Sequence, residues 1–229
     1  MLNPLRFIKK KKDSLGYNAY REFLAAKRTT LDQNFIMLRS LLEQSRQKKV
    51  ALVGQPGAGK SSLLLKLTDG KCEPPPKIGV ETNATDWSRN ESIDFIHSYA
   101  SIDWIDVPGY GTQTHPIKSY QTYFPIDLCQ VILFVIQGKI QQSDEQMFQT
   151  LFNLSKHSCK VAIIRTLSEH LSKQDQMEIQ KDLEAKLLYN RNNIPLYFIS
   201  NRTMMGIEEV KRFVFSSEKK EEKQIKVVF

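Results

Sequence analysis

The chain has 229 residues, 41% of them hydrophobic, and a formal net charge of +8. That length and apolar content suit one large α/β domain with room for an appendage. Three cysteines without C-x-x-C spacing suggest neither a disulfide framework nor a zinc site, and no apolar run approaches the roughly 20 residues of a membrane span.

The charge sits at one end. Residues 1–49 hold twelve Lys or Arg against four Asp or Glu, whereas residues 50–229 hold 21 of each. A split this sharp predicts an N-terminal unit with its own anionic partner. In residues 1–12, Leu2, Leu5, Phe7 and Ile8 precede Lys9, Lys10, Lys11 and Lys12. A solvated tail is the favoured reading of this mixture; an anionic membrane surface comes next and a nucleic-acid contact last. The order is the reverse of a signal peptide, so the expectation is a cytoplasmic protein with at most peripheral membrane contact.

Next, Tyr17, Tyr20, Leu24, Leu31, Phe35, Leu38 and Leu42 recur at spacings of three, four and seven, which makes one apolar helical face. Two helices are predicted, about 14–28 and 31–47, with a capping box from Thr30 to Gln33. The face either packs on the following domain or is offered to a membrane or partner.

From Val50 onward, strands are predicted at 50–53, 102–107, 130–136, 160–165 and 195–200, and helices at about 60–68, 143–156, 173–191 and 206–215. Near-continuous apolar strands such as Val131 to Ile136 require a parallel sheet covered on both faces. The ligand of such a fold lies at the carboxyl ends of the strands. Residues 70–100 are less regular, with Pro74, Pro75 and Pro76 in a row, and read as a loop plus one or two edge strands.

Gly54-Gln55-Pro56-Gly57-Ala58-Gly59-Lys60-Ser61 is a complete G-x-x-x-x-G-K-[ST] loop between an apolar strand and a helix that Ser62 continues. Its glycines let backbone N–H groups turn toward phosphate oxygens. Lys60 reaches the β- and γ-phosphates, and the Ser61 hydroxyl ligates Mg²⁺. Kinases, ATPases and GTPases all share this loop.

Asp106-Val107-Pro108-Gly109 narrows the choice. An Asp closing a strand holds the Mg²⁺ through water, and the following Gly offers its N–H to the γ-phosphate, the arrangement of a GTPase switch. A threonine must close over the metal between these motifs. Thr85 is preferred because a strand at Asp86-Trp87-Ser88 would follow it; Thr82 is the runner-up. Lys60, Thr85 and Gly109 are thus the catalytic candidates, and Ser61, Thr85 and Asp106 the metal ligands.

The phosphate loop, Gly79-Val80-Glu81-Thr82, Trp104-Ile105-Asp106-Val107-Pro108-Gly109-Tyr110-Gly111-Thr112, Ile163-Ile164-Arg165-Thr166 and Tyr197-Phe198-Ile199-Ser200-Asn201 together resemble the immunity-related GTPases, a dynamin-like branch. The resemblance implies a Ras-like P-loop G domain, α/β, with a mostly parallel six-stranded sheet and helices on both faces, binding GTP or GDP with Mg²⁺. It also implies activation by dimerisation, as a homodimer across the nucleotide face, or by membrane assembly. The organisation then reads as a basic tail (1–13), a helical extension (14–48), a G domain (49–215) and a charged C-terminal tail (216–229).

Two parts depart from the family's pattern. Where GTPases carry Asn/Thr-Lys-x-Asp to read guanine, this chain has Thr166-Leu167-Ser168-Glu169, followed later by Ser200-Asn201. Leu167 packs on a purine and Glu169 keeps a carboxylate on a longer stem, so guanine selectivity is expected to be weakened. Tyr110 stands where Ras-type proteins place the water-orienting Gln, so hydrolysis is expected to be slow alone and stimulated by a dimer or partner. The expected function is a GTP-binding switch that hydrolyses GTP to GDP. A pseudo-GTPase scaffold and an ATP-using or unselective NTPase are the alternatives.

Overall fold

The computed structural model describes residues 28–78, 86–89, 93–155, 159–187 and 194–216. The basic tail, the first predicted helix up to residue 27, Thr82, Thr85 and the chain from residue 217 lie outside them.

In chain order the elements are α1 (Thr30–Gln44), β1 (Lys48–Gly54), α2 (Lys60–Leu67), β2 (His97–Tyr99), β3 (Ile102–Asp106) and α3 (Ile117–Tyr123). A 3₁₀ turn (Ile126–Leu128), β4 (Val131–Ile136), α4 (Gln142–Ser155), β5 (Lys160–Arg165), α5 (Lys173–Leu187), β6 (Leu196–Phe198) and α6 (Ile207–Phe215) follow. The strands form one six-stranded sheet in the order β2-β3-β1-β4-β5-β6. All neighbours are parallel except β2, which pairs antiparallel with β3 at the edge. The fold is the Ras-like G domain.

The sheet has a core on each face. Val50, Leu52, Leu133 and Ile164 pack with α2 and α6, while Ala51, Val53, Ile132 and Phe134 pack with α1, α3, α4 and α5. Every residue of β4 is at most 1% exposed, which is why its sequence is an unbroken apolar run.

α1 belongs to the second of these cores. Leu31, Phe35, Leu38 and Leu42 are at most 1% exposed, so this part of the predicted face covers the sheet. Arg39 also pairs with Asp127 of the 3₁₀ turn through both terminal guanidinium nitrogens. The capping box is one residue earlier than predicted: the Thr29 hydroxyl accepts the Asp32 amide at 3.2 Å, and the Asp32 carboxylate accepts the Thr29 amide at 3.0 Å.

The strand expected at 86–88 is a turn. The Asp86 carboxylate accepts both the Ser88 amide, at 2.8 Å, and its hydroxyl, at 2.6 Å, a local bond that competes with an extended ladder. Trp87 is buried between Phe35 and Phe95. Among the described residues no helix is long and apolar enough to cross a membrane.

Candidate nucleotide site

β1 delivers the chain into the glycine loop at Gly54, and α2 receives it at Lys60. A Cβ on Gly54 would stand 1.9 Å from the Val135 carbonyl oxygen, so glycine alone lets the loop leave the sheet there. Gly57 and Gly59 have φ of +74° and +85°, and Gly59 is the N-cap of α2. The first N–H groups of that helix have no intrahelical acceptor, and its dipole favours an anion.

Lys60 is buried, and its Nζ donates to the carbonyls of Gly54 at 3.1 Å and Gln55 at 2.9 Å. Burial pulls its pKa down to about 8, against the opposing charge of Asp106. A phosphate drawn into the loop would favour the charged form of this amine.

Ser61 begins the other half of the phosphate end. Its hydroxyl donates to Asp106 Oδ2 at 2.5 Å, from the last residue of β3. Asp106 is buried, and its Oδ1 has no hydrogen-bond partner. Desolvation raises its carboxyl pKa, with Lys60 and Ser61 working the other way. A buried carboxylate oxygen without a partner, beside a hydroxyl and a phosphate loop, fits a hard divalent cation.

The turn after Asp106 lies against the loop. A Cβ on Gly109 would fall 2.3 Å from Pro56 N and 2.6 Å from Pro56 Cα, so only glycine fits there. Tyr110 does not face outward as a water-orienting residue must. It is buried, its hydroxyl donates to Asp144 at 2.7 Å, and its ring stacks on Phe134. Gln55 likewise turns its side-chain amide inward to Asp144.

A cavity of about 1080 Å³, the candidate base end, lies between the phosphate loop and the loops after β5 and β6. Gly57, Ala58, Gly59 and Ser62 line one side; Thr166, Leu167, Glu169 and Asn201 line another. Thr166 is spent as a strut, donating to the carbonyls of Ala58 at 3.0 Å and Ile136 at 3.2 Å. Leu167 has φ of +53° and is 59% exposed, so its side chain stands at the cavity edge. Ser200 lies beneath, accepting the amides of Arg202 and Thr203 at 3.1 Å each. A backbone amide and the Ser200 hydroxyl hold the Glu169 carboxyl below its usual pKa range, and Oε2 has no partner. Asn201 donates to the Gly59 carbonyl at 3.2 Å and leaves Oδ1 unpartnered.

The structure thus gathers the phosphate loop, Asp106 and Gly109 at one end and Leu167, Glu169 and Asn201 at the other. Sequence reasoning missed Ile78, Gln137, Arg202 and Met204, which also line the cavity. Ile78 is 57% exposed, and a lone apolar residue in a proline-rich loop was the one available signal.

Fold and site together define a P-loop nucleoside triphosphatase of Ras-like architecture. Residues 49–202 match the family described as 50S ribosome-binding GTPase. The chain belongs to that family and is a GTP-binding hydrolase. It is 22% identical to the probable GTP-binding protein EngB of Leptospira biflexa, over 74% of this chain and 80% of that protein. It is 28% identical to GTPase Obg of Flavobacterium psychrophilum, over 75% of this chain and 50% of that one. Among solved structures, the bacterial selenocysteine-specific elongation factor EF-Sec matches with a TM-score of 0.50 and 20% identity, over 72% of this chain and 28% of that one. The chain therefore spans half of Obg and under a third of EF-Sec. The narrower resemblance to the immunity-related branch finds no support in these relatives. The motifs that suggested it, chiefly the phosphate loop and Asp-x-x-Gly, are shared across the GTPase class.

Proposed function

We propose that GTP lies with its triphosphate on Gly54–Ser61 and its base in the cavity edged by Leu167. In this reading Mg²⁺ is held by the Ser61 hydroxyl and, through water, by Asp106, with Thr85 as the closing ligand. Such an ion supplies charge neutralisation between the β- and γ-phosphates. Among the described residues there is no group of three or more His, Cys, Asp or Glu for a metal; phosphate oxygens and water would complete the shell, as they do for Mg²⁺ generally.

One observation carries this reading: the unpartnered, buried Asp106 Oδ1 beside Ser61 at the mouth of a glycine loop. The test is titration of labelled GTP and GDP with and without Mg²⁺. Lys60→Ala loses both nucleotides, and Asp106→Asn loses the Mg²⁺ dependence of GTP binding. Tight GTP binding by Lys60→Ala, or the same Mg²⁺ dependence in Asp106→Asn, would overturn it.

Turnover is slow alone, in this reading, because Tyr110 is committed to Asp144 and leaves no side chain there to orient water. A partner supplies the missing group. The family description favours a ribosomal RNA surface, and the basic excess of residues 1–49 supplies positive charge for its phosphates. Salt-sensitive co-sedimentation with large ribosomal subunits, lost on removing residues 1–12, tests this; binding to anionic vesicles instead would reverse it.

A further inference from the structure

α4 carries an acid that the chemistry above does not use. Asp144 is fully buried, a costly place for a carboxylate unless its oxygens are paired. Oδ1 accepts the Tyr110 hydroxyl at 2.7 Å. Oδ2 accepts the Gln141 amide at 2.8 Å and the Gln55 side-chain amide. The Gln141 bond is local to the start of α4. The other two reach the phosphate loop and the turn after Asp106, segments with no sequence proximity to each other.

Gln55 and Tyr110 occupy corresponding places on those segments. Gln55 precedes Pro56 and Tyr110 follows Gly109, and it is Pro56 and Gly109 whose backbones touch. Loop and turn are therefore joined by two adjacent ties, one a direct packing contact and one passing through Asp144. Further contacts hold the turn from outside: Tyr110 stacks on Phe134 with centroids 6.5 Å apart and planes within 6°, and the Tyr120 hydroxyl donates to the Pro108 carbonyl at 2.8 Å.

We infer that Asp144 is a positioning residue for recognition of the γ-phosphate: by clamping Gln55 to Tyr110 it sets where the Gly109 N–H stands over the phosphate loop. The inference rests on the GTP reading above. GDP lacks the group that Gly109 meets, so the clamp contributes to GTP binding and turnover and leaves GDP affinity alone. A merely structural Asp144 would affect both nucleotides alike.

The experiment compares Tyr110→Phe, Asp144→Ala and the double variant by GTP and GDP affinity, kcat and KM, with thermal melting alongside. In Tyr110→Phe, the GTP Kd rises relative to the GDP Kd by about five- to tenfold, the scale of one net hydrogen bond. The double variant is no worse than Asp144→Ala, because the tie is already cut. Parallel loss of GTP and GDP affinity, or an unmoved ratio in Tyr110→Phe, overturns the clamp. Tyr110→Phe removes a single oxygen, so it carries the test if Asp144→Ala does not fold. Failure of the unaltered protein to bind either nucleotide would sink the GTP reading itself, a result distinct from an unmoved ratio.

Discussion

Asn34 on α1 donates its side-chain amide to the Trp87 carbonyl at 2.8 Å, across 53 residues of sequence. Beside that bond Phe35 meets the rings of Trp87, Tyr120 and Phe124 edge-on, with centroids 5.7, 4.9 and 5.6 Å away. The helix ahead of β1 is thereby fastened to the segment that follows Thr85 and to α3, which in turn holds Pro108.

Phe35→Ala should therefore behave as a core deletion. Its loss removes three edge-on ring contacts from a fully buried site and should cost about 3–5 kcal/mol. Urea denaturation checks this; a loss under about 1 kcal/mol would show that α1 is a peripheral attachment.

Gly109→Ala should separate loop from turn. The added methyl meets backbone atoms of Pro56, which cannot rotate away, so the turn must lift. GTP affinity and turnover should fall at least about tenfold, the scale of a lost phosphate contact. GDP affinity should change far less, as read by competition with a fluorescent nucleotide.

Glu169→Ala should flatten base preference. Glu169 lines the cavity and its Oε2 is buried without a partner, and a site built to pair with a base discriminates strongly when that pairing is present. GTP preference over ATP should drop about tenfold or more, measured by mutual competition. An unchanged ratio would move the base-reading role to Asn201.

His115 gives a pH signature. Its Nε2 accepts the Trp87 amide at 3.3 Å and lies 3.4 Å from Asp86 Oδ1, and Nδ1 is paired with the Thr114 hydroxyl at 3.0 Å. Burial and Lys60 lower its pKa from the ordinary 6.5, while Asp86 opposes them. An unfolded chain therefore takes up the proton first as pH falls. The stability it contributes is present above about 6.5 and is lost as pH falls through the lower folded value. Asp69, Asp86 and Asp127, held below their ordinary 3.8, lose theirs only in more acid solution. The melting temperature should fall between pH 7 and 5 more in the unaltered protein than in His115→Gln.

Much of the fold was legible because its strands are covered on both faces. Val50 to Val53 and Val131 to Ile136 have no solvent side, so their apolar runs stand out. The glycine loop and Asp106 were legible for a related reason: phosphate and metal chemistry constrain consecutive residues. α3 was missed because it is seven residues long, follows Pro116 and shows no apolar period. The strand expected at 86–88 failed because the Asp86 side chain captures Ser88, a choice made by local hydrogen bonding that periodicity does not record. Asp144 was illegible because its two distant donors lie 34 and 89 residues away, and spacing of that kind has no pattern.

The anchoring of α1 has a mechanical consequence. Asn34 and Phe35 both bear on Trp87, one by a hydrogen bond and the other ring to ring. Trp87 shares a hydrogen bond with His115, in the loop that leads on from Tyr110. α1 and the turn after Asp106 are therefore joined by a continuous line of hydrogen-bonded groups through Trp87 and His115, so a shift at one end of that line is shared with the other.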